Sequence, residues 1–329
     1  MAAFATGLAA PFVAGLYPEK NSCQLASTEF GSARYRSYIS STSHSLEPNE
    51  PPNLFSGVMP ATESKPIFVA LCLPTAKWRY WPHFGDAKSS ALGQAYEMAL
   101  AIVTGASRGL GYEVAKALKA RGDEVIGISK DRQRAEAASS ELGIAFELMD
   151  CQQISQVRSV SQELLAKYGT PEILVLAHGV MSEKMAKTLK TNDQEWARVL
   201  DINLNSVFTL VNSIAGPMAE ARNGRVIIFS ACLGRMSGPG NAGGLAPYRI
   251  SKAGVNALVR NLAHETNHGA RGFLVDAICP NHSRTDMGGA DAPRSAAEGA
   301  ATAIWLATRT FNPGDQTGLL WEDQEVVPW

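Results

Sequence analysis

The chain is short of the features that would assign it to several large classes. No run of consecutive apolar residues approaches the roughly 18 to 20 needed to cross a bilayer, so the sequence predicts no membrane span. Charge of neither sign dominates: 30 basic and 31 acidic residues leave a formal net charge of -1. That balance gives no electrostatic reason to expect a nucleic-acid partner. Cysteine is sparse. The five cysteines, Cys23, Cys72, Cys151, Cys232 and Cys279, are odd in number, far apart and include no close pair of the metal-binding kind. A reduced compartment and no metal site are the default expectations.

What the chain does have is the balance of a soluble globular protein with a sizeable core, with 45% hydrophobic and 19% charged residues over 329 positions. Composition changes near residue 97. Upstream, "STSHSLEPNEPPNLFSGVMP" and "KWRYWPHFGD" are rich in Ser, Pro and isolated aromatics and lack a sustained period. Residues 1–97 read as a largely irregular, mostly disordered extension. No charged residue precedes Glu19, and residues 21–46 are Ser/Thr-rich with few acids, which resembles a plastid transit peptide. The expected location is cytoplasmic by default, or chloroplast if residues 1–46 act as such a peptide. Met98 offers an alternative start, and "KPIFVALCLP" reads as a short strand or binding segment. From 98 to 329, apolar strand-like runs alternate with helical patterns, the signature of a doubly wound parallel α/β sheet.

The first repeat of that pattern, "ALAIVTGASRGLGYEVAKALKARG", runs from an apolar strand over Ala99 to Val103 through Gly105, Gly109 and Gly111 into a helix. Its apolar stripe is expected at Val114, Ala117, Leu118 and Arg121. A glycine turn between a strand and a helix N-terminus lets backbone N–H groups reach a pyrophosphate where Cβ atoms would block it. Far downstream, "PYRISKAG" sets Tyr248 and Lys252 on one helix face. The pair reads either as a buried aromatic beside a solvated lysine or as a proton donor whose pKa the ammonium lowers from near 10 toward neutrality.

The spacing in "TGASRGLG", followed in order by Tyr-x-x-x-Lys, resembles the short-chain dehydrogenase/reductase family, and the resemblance covers essentially residues 98 to 329. It implies a Rossmann fold and an oxidoreductase exchanging a hydride between a nicotinamide and a carbonyl or alcohol. Tyr248 would be the general acid, and Lys252 its tuning charge and a ribose ligand. Asn203, in "VLDINLNSVF", would hold a helix open for a relay water. Gly105, Ser107, Arg108, Gly109, Leu110 and Gly111 would hold the pyrophosphate side of the cofactor. Asp150 would touch the adenine, Ala177 and Gly179 would join the cofactor site, His178 would either touch the nicotinamide half or serve the turn structurally, and Pro280 and Thr285 would hold the carboxamide and ribose.

The second strand, "EVIGIS", ends at Ser129, where NAD-preferring members carry an acid; Lys130 and Arg108 would pair with a 2′-phosphate instead. NADP(H) is therefore the expected cofactor, the alternative being that Asp131 holds a plain ribose. The resemblance also implies a homodimer or homotetramer through helices near 193–221 and 248–268. The C-terminal Pro-Trp resembles carbonyl reductase-like members, and residues 281–297 would form a substrate lid.

Three departures stand out. Counting back three from Gly234 in "RVIIFSACLG" places Ala231 where the family carries its carbonyl-polarising serine, so Ser230 is expected to take that role, with Ser237 as a substitute. Ala177, His178 and Gly179 replace the last three residues of an Asn-Asn-Ala-Gly turn, at an expected loss of sheet-end hydrogen bonds. Asn281 stands for a usual glycine. Two rivals follow: an NADP(H)-binding sensor or scaffold without turnover, and an isomerase or epimerase using the cofactor transiently.

Replacing Lys130 by Ala is expected to weaken NADPH binding and leave NADH nearly untouched in fluorescence titrations. Equal losses for both would contradict the 2′-phosphate assignment.

Overall fold

A computed structural model of the chain describes residues 98–329 apart from 184–185, 239–242, 311 and 313. The transit-peptide and "KPIFVALCLP" expectations lie outside the described residues. Eight strands form one sheet in the order β3-β2-β1-β4-β5-β6-β7-β8. They are β1 (Leu100–Thr104), β2 (Glu124–Ser129), β3 (Ala145–Leu148), β4 (Ile173–Leu176), β5 (Gly224–Phe229), β6 (Phe273–Ile278), β7 (Leu320–Glu322) and β8 (Glu325–Val327). All neighbouring pairs are parallel except β7 with β8, an antiparallel edge hairpin. Its turn is made by Asp323 and Gln324, both at positive φ (53° and 64°), the geometry that matches strand twist in a two-residue loop.

Among the described residues, seven α-helices accompany the strands: α1 (Gly109–Arg121), α2 (Arg132–Leu142), α3 (Ile154–Tyr168), α4 (Asp193–Leu200), α5 (Ser206–Glu220), α6 (Ala246–Glu265) and α7 (Ala296–Thr308). The central strands β1, β2, β4, β5 and β6 are buried on both faces, which explains why they read as continuous apolar runs rather than alternating ones. In β1, Ile102 enters one core cluster while Ala101 and Val103 enter the other, as the two-residue strand period requires. In α1 the buried stripe is Gly111, Val114, Ala115 and Leu118. Ala115 thus replaces the expected Ala117, because α1 packs against α7 as well as against β1 and β2.

The strand order reverses between β1 and β4, and the crevice at such a switch point is where ligands of this architecture bind. Thr104, Leu176, Phe229 and Ile278 end the four strands around it. No helix among the described residues is long and apolar enough to cross a membrane.

The glycine turn after β1 depends on close approach. Gly105 and Gly109 take φ of 68° and 59°, a region costly for residues with a Cβ. At Gly111 a Cβ would stand 2.4 Å from the Gly105 carbonyl oxygen. Gly111→Ala is therefore expected to destabilise the fold by about 1–3 kcal/mol despite the better helix propensity of alanine. Chemical denaturation would measure it; an unchanged midpoint would show that the turn has slack.

Candidate active site

α6 begins with Pro247 in its first turn, where the missing N–H costs nothing. Its buried positions Tyr248, Ser251, Lys252, Val255, Asn256 and Val259 form one stripe facing the ends of β5 and β6. Tyr248 and Lys252 are both buried, at 6% and 3% exposure, and the ammonium lies 5.9 Å from the centre of the phenol ring. Lys252 Nζ donates to the Phe229 carbonyl oxygen at 2.6 Å, the last residue of β5. Burial alone brings the Lys252 pKa down to about 8. It also raises that of Tyr248, with Cys279 and Cys232 adding to the effect. The expected lowering of the phenol pKa is thus not seen here: the ammonium is directed at a carbonyl, and a dry phenol resists ionisation.

Asn203 is fully buried in a π-turn, Asp201–Asn205, that separates α4 from α5. Its Oδ1 accepts from the Val180 amide at 2.8 Å, and its Nδ2 donates to the Val180 carbonyl at 2.9 Å and to Ser251 Oγ at 3.1 Å. Ser251 Oγ donates in turn to the Tyr248 carbonyl. Gly179 fits between these groups, since a Cβ there would lie 3.3 Å from Asn203 Oδ1 and 3.6 Å from Lys252 Nζ. Tyr248, Lys252, Asn203 and Gly179 are therefore brought together as the sequence reading expected.

Ser230 is not. Its hydroxyl donates to Asn256 Oδ1 at 2.5 Å and lies 3.3 Å from the Lys252 carbonyl, buried between β5 and α6. Asn256 Nδ2 reaches the Gly234 carbonyl, so Ser230 anchors the helix instead of facing a substrate. Strand alternation is the reason: Ala231 is the residue that packs with Tyr248 and Val199. Ser237 is also committed elsewhere, to the carbonyl of Trp329. Ser182, to which the Tyr248 amide donates at 2.9 Å, is a contact the sequence did not suggest.

His178 restores what the altered turn was expected to lose. Its Nδ1 lies 2.7 Å from Thr104 Oγ1 and its Nε2 2.8 Å from Ser206 Oγ. Ser206 donates its own proton to the Ile202 carbonyl, so Nε2 carries hydrogen and Nδ1 accepts. Burial, with the Lys252 charge, depresses its pKa to about 3. Asn281 sits at φ 56°, in the left-handed region that asparagine tolerates better than most residues, which accounts for the glycine it replaces.

At the other end of the crevice, Thr285 overlies the glycine turn, 3.2 Å from where a Gly109 Cβ would be. Ser107 Oγ meets Ser129 Oγ at 3.0 Å, tying the glycine turn to the end of β2. Arg108 pairs with Asp286, and Arg134 lies 3.7 Å from the same carboxylate. Lys130, just after β2, is exposed. Asp131 instead caps α2, accepting from the Arg134 amide at 3.1 Å, which engages the group that the plain-ribose alternative requires. Arg134 and Asp286 were missed because nothing local in the sequence joins them. Asp150 accepts from the Gln152 amide at the turn after β3, Ala177 N donates to Thr104 Oγ1, and the Pro280 carbonyl accepts from Ser283. A hollow of about 380 Å³ lined by His268, Thr317 and Leu319 lies beside the entry to β6, away from these groups.

A family model described as short chain dehydrogenase matches residues 99–295. The 3-oxoacyl-(acyl-carrier-protein) reductase FabG of Escherichia coli strain K12 is 34% identical over 194 residues, 58% of this chain and 76% of that protein. Its namesake in Chlamydia muridarum is 30% identical over 193 residues, 57% and 75% of the two chains. Among solved structures, one titled ribose-5-phosphate isomerase from Brucella melitensis 16M is 27% identical with a TM-score of 0.61, covering 68% of this chain and 90% of its own. The carbonyl reductase Sniffer of D. melanogaster has a TM-score of 0.62 at 19% identity, covering 71% and 100%, a likeness of fold alone.

His178 makes acid stability a readout of the site. With its pKa near 3 in the fold and about 6.5 when unfolded, its contribution is whole above about pH 6.5 and is lost as pH falls toward 3. His178→Gln is expected to flatten the fall in denaturation midpoint over that window. An identical fall would mean that the histidine is not held neutral.

Proposed function

The chain belongs to the short-chain dehydrogenase family, and on that premise we propose that it is an NADP(H)-dependent oxidoreductase acting between a carbonyl and its alcohol. The observation that carries this reading is the burial of Tyr248 and Lys252 side by side at the carboxyl edge of the sheet, with Asn203 behind them. A phenol held protonated by burial suits donation to the alkoxide that forms on carbonyl reduction. The ammonium of Lys252, with a pKa of about 8, is charged at neutral pH and stabilises the phenolate left behind.

The residues present fit a dinucleotide. The glycine turn forms a cradle at the N-terminus of α1 that a Cβ at Gly111 would fill, and Gly105, Ser107, Arg108, Gly109 and Leu110 complete it. Arg108, Lys130 and Arg134 supply positive charge where the 2′-phosphate of NADP(H) belongs, favouring it over NAD(H). Asp150 serves the adenine; Ala177, Gly179, Pro280 and Thr285 serve the nicotinamide end, together with Tyr248 and Lys252. When bound, the nicotinamide supplies or accepts the hydride.

The substrate class is a small or medium carbonyl compound. The names of the FabG relatives direct attention to 3-oxoacyl thioesters, which are ketones and fall inside that class. Exposed Trp196 on α4, Phe208 on α5 and Ile250 on α6 supply apolar surface for a homodimer or homotetramer. A second reading, a cofactor-binding protein that has lost the reaction, is favoured by Ala231, which brings no hydroxyl to the face of Tyr248. It predicts NADPH binding without oxidation against any carbonyl.

Tyr248→Phe is expected to lower kcat by about 10²- to 10⁴-fold on a panel of aldehydes, ketones, quinones and 3-oxoacyl thioesters while NADPH still binds. Retained activity would remove Tyr248 as the acid. Ala231→Ser is expected to raise kcat; an unchanged rate would place carbonyl polarisation elsewhere.

A further inference from the structure

Cys232 and Cys279 are distant in sequence but meet at the carboxyl edge of the sheet. β5 and β6 pair Phe229 with Ile278, so the segments that follow them leave side by side. The sulfur of Cys279 accepts the Cys232 backbone N–H at 3.0 Å, which brings the two cysteines against each other. Both are free cysteines; Cys279 is buried and Cys232 half-buried. The neighbouring Cys279 side chain, with smaller contributions from the Leu233 amide and the Arg235 charge, lowers the pKa of Cys232, while that of Cys279 is raised. The more accessible sulfur is thus the better thiolate, and the buried one keeps its proton until a partner needs it.

We propose that Cys232 and Cys279 form a reversible dithiol–disulfide site that takes a small-molecule disulfide such as glutathione disulfide as oxidant, and that closing it restrains the adjacent Tyr248–Lys252 site. The Cys232 thiolate attacks one sulfur of the incoming disulfide, whose S–S bond breaks to release the first glutathione as a thiolate, which takes up a proton. Cys279 then gives up its proton and attacks the Cys232 sulfur, displacing the second glutathione. Two protein thiols are oxidised to one disulfide, and one glutathione disulfide is reduced to two thiols. Excess dithiol reverses both steps.

Closure reaches the catalytic groups through contacts already made. Cys279 is fixed at the sheet end, its amide donating to the Trp321 carbonyl at 2.8 Å. Cys232 stands on a short 3-10 turn, Cys232–Gly234, so the turn is the part that moves when the sulfurs draw together. That turn rests directly on α6: a Cβ on Gly234 would lie 2.7 Å from the Lys252 backbone carbon and Cβ. Ala231, next to Cys232, packs on Tyr248. Misplacement of reacting groups by about an ångström costs on the order of a hundredfold in rate.

The test uses the full chain, incubated with glutathione disulfide, its remaining thiols alkylated, and mapped by peptide mass spectrometry alongside NADPH oxidation and NADPH fluorescence titration. We expect a Cys232–Cys279 linked peptide, turnover lowered by about a hundredfold, and recovery on adding dithiothreitol. Cys279→Ser should stall at a glutathione adduct on Cys232, and Cys232→Ser should keep its turnover under oxidation. Free thiols, or an adduct without the linked peptide in the unsubstituted chain, would overturn the site. A linked peptide with unchanged turnover and unchanged NADPH affinity would overturn the control. The turnover arm rests on the oxidoreductase reading. If the reduced chain turns over no carbonyl, that reading fails by itself, while the peptide map and a shift in NADPH affinity on oxidation still decide this proposal.

Discussion

A lysine ammonium is held almost without solvent at the end of a buried parallel strand, and the rest of the site is arranged to make that tolerable. Stripping water from an ammonium costs several kcal/mol unless other groups take its place. In this protein the replacement is the Phe229 carbonyl, 2.6 Å away at the end of β5. Holding it there requires α6 to lie close against the sheet, which Ser230, Asn256 and the glycine at 234 accomplish together. The opposite wall is closed by Asn203 and Gly179, where a single added carbon would crowd Asn203 Oδ1 and come into contact with the ammonium. The charge, the phenol beside it and the opened π-turn are consequences of one packing problem solved at the carboxyl edge of the sheet.

The same edge explains the departures from the family pattern. Where the turn after β4 lacks its asparagines, His178 spans Thr104 and Ser206 with both ring nitrogens and is kept neutral by burial and by the nearby lysine. A second positive charge so close to Lys252 would be unfavourable, so the neutral histidine can brace β1 and the π-turn without disturbing the ammonium. At Asn281, a positive φ is met by the non-glycine residue that accepts it at little cost.

Much of the fold was legible because it rests on local rules. β2 occupies the stretch "EVIGIS" as read, and β1 is displaced by only one residue, since apolar runs bounded by charged or glycine turns define buried strands. Tyr248 and Lys252 were legible as a helical spacing, and Asn203 only through the resemblance of "VLDIN" to the family pattern. What was not legible depends on three-dimensional register. Whether Ser230 or Ala231 faces the phenol turns on a single step of strand alternation, and the structure gives that face to Ala231. Arg134 and Asp286 meet although 152 positions separate them, and Cys232 finds Cys279 only because β5 and β6 are neighbours. The phenol pKa was misjudged because helical spacing brings the lysine near, yet its ammonium is turned to a backbone carbonyl.

The central claim is that this edge of the sheet positions a carbonyl to exchange a hydride with NADP(H). The most direct measurement is to supply NADPH deuterated at the transferring carbon and follow the label into the alcohol product by mass spectrometry. The account predicts one deuterium on the former carbonyl carbon, with stoichiometric NADP formed. An alcohol without label, or a converted product with no net NADPH consumed, would contradict it.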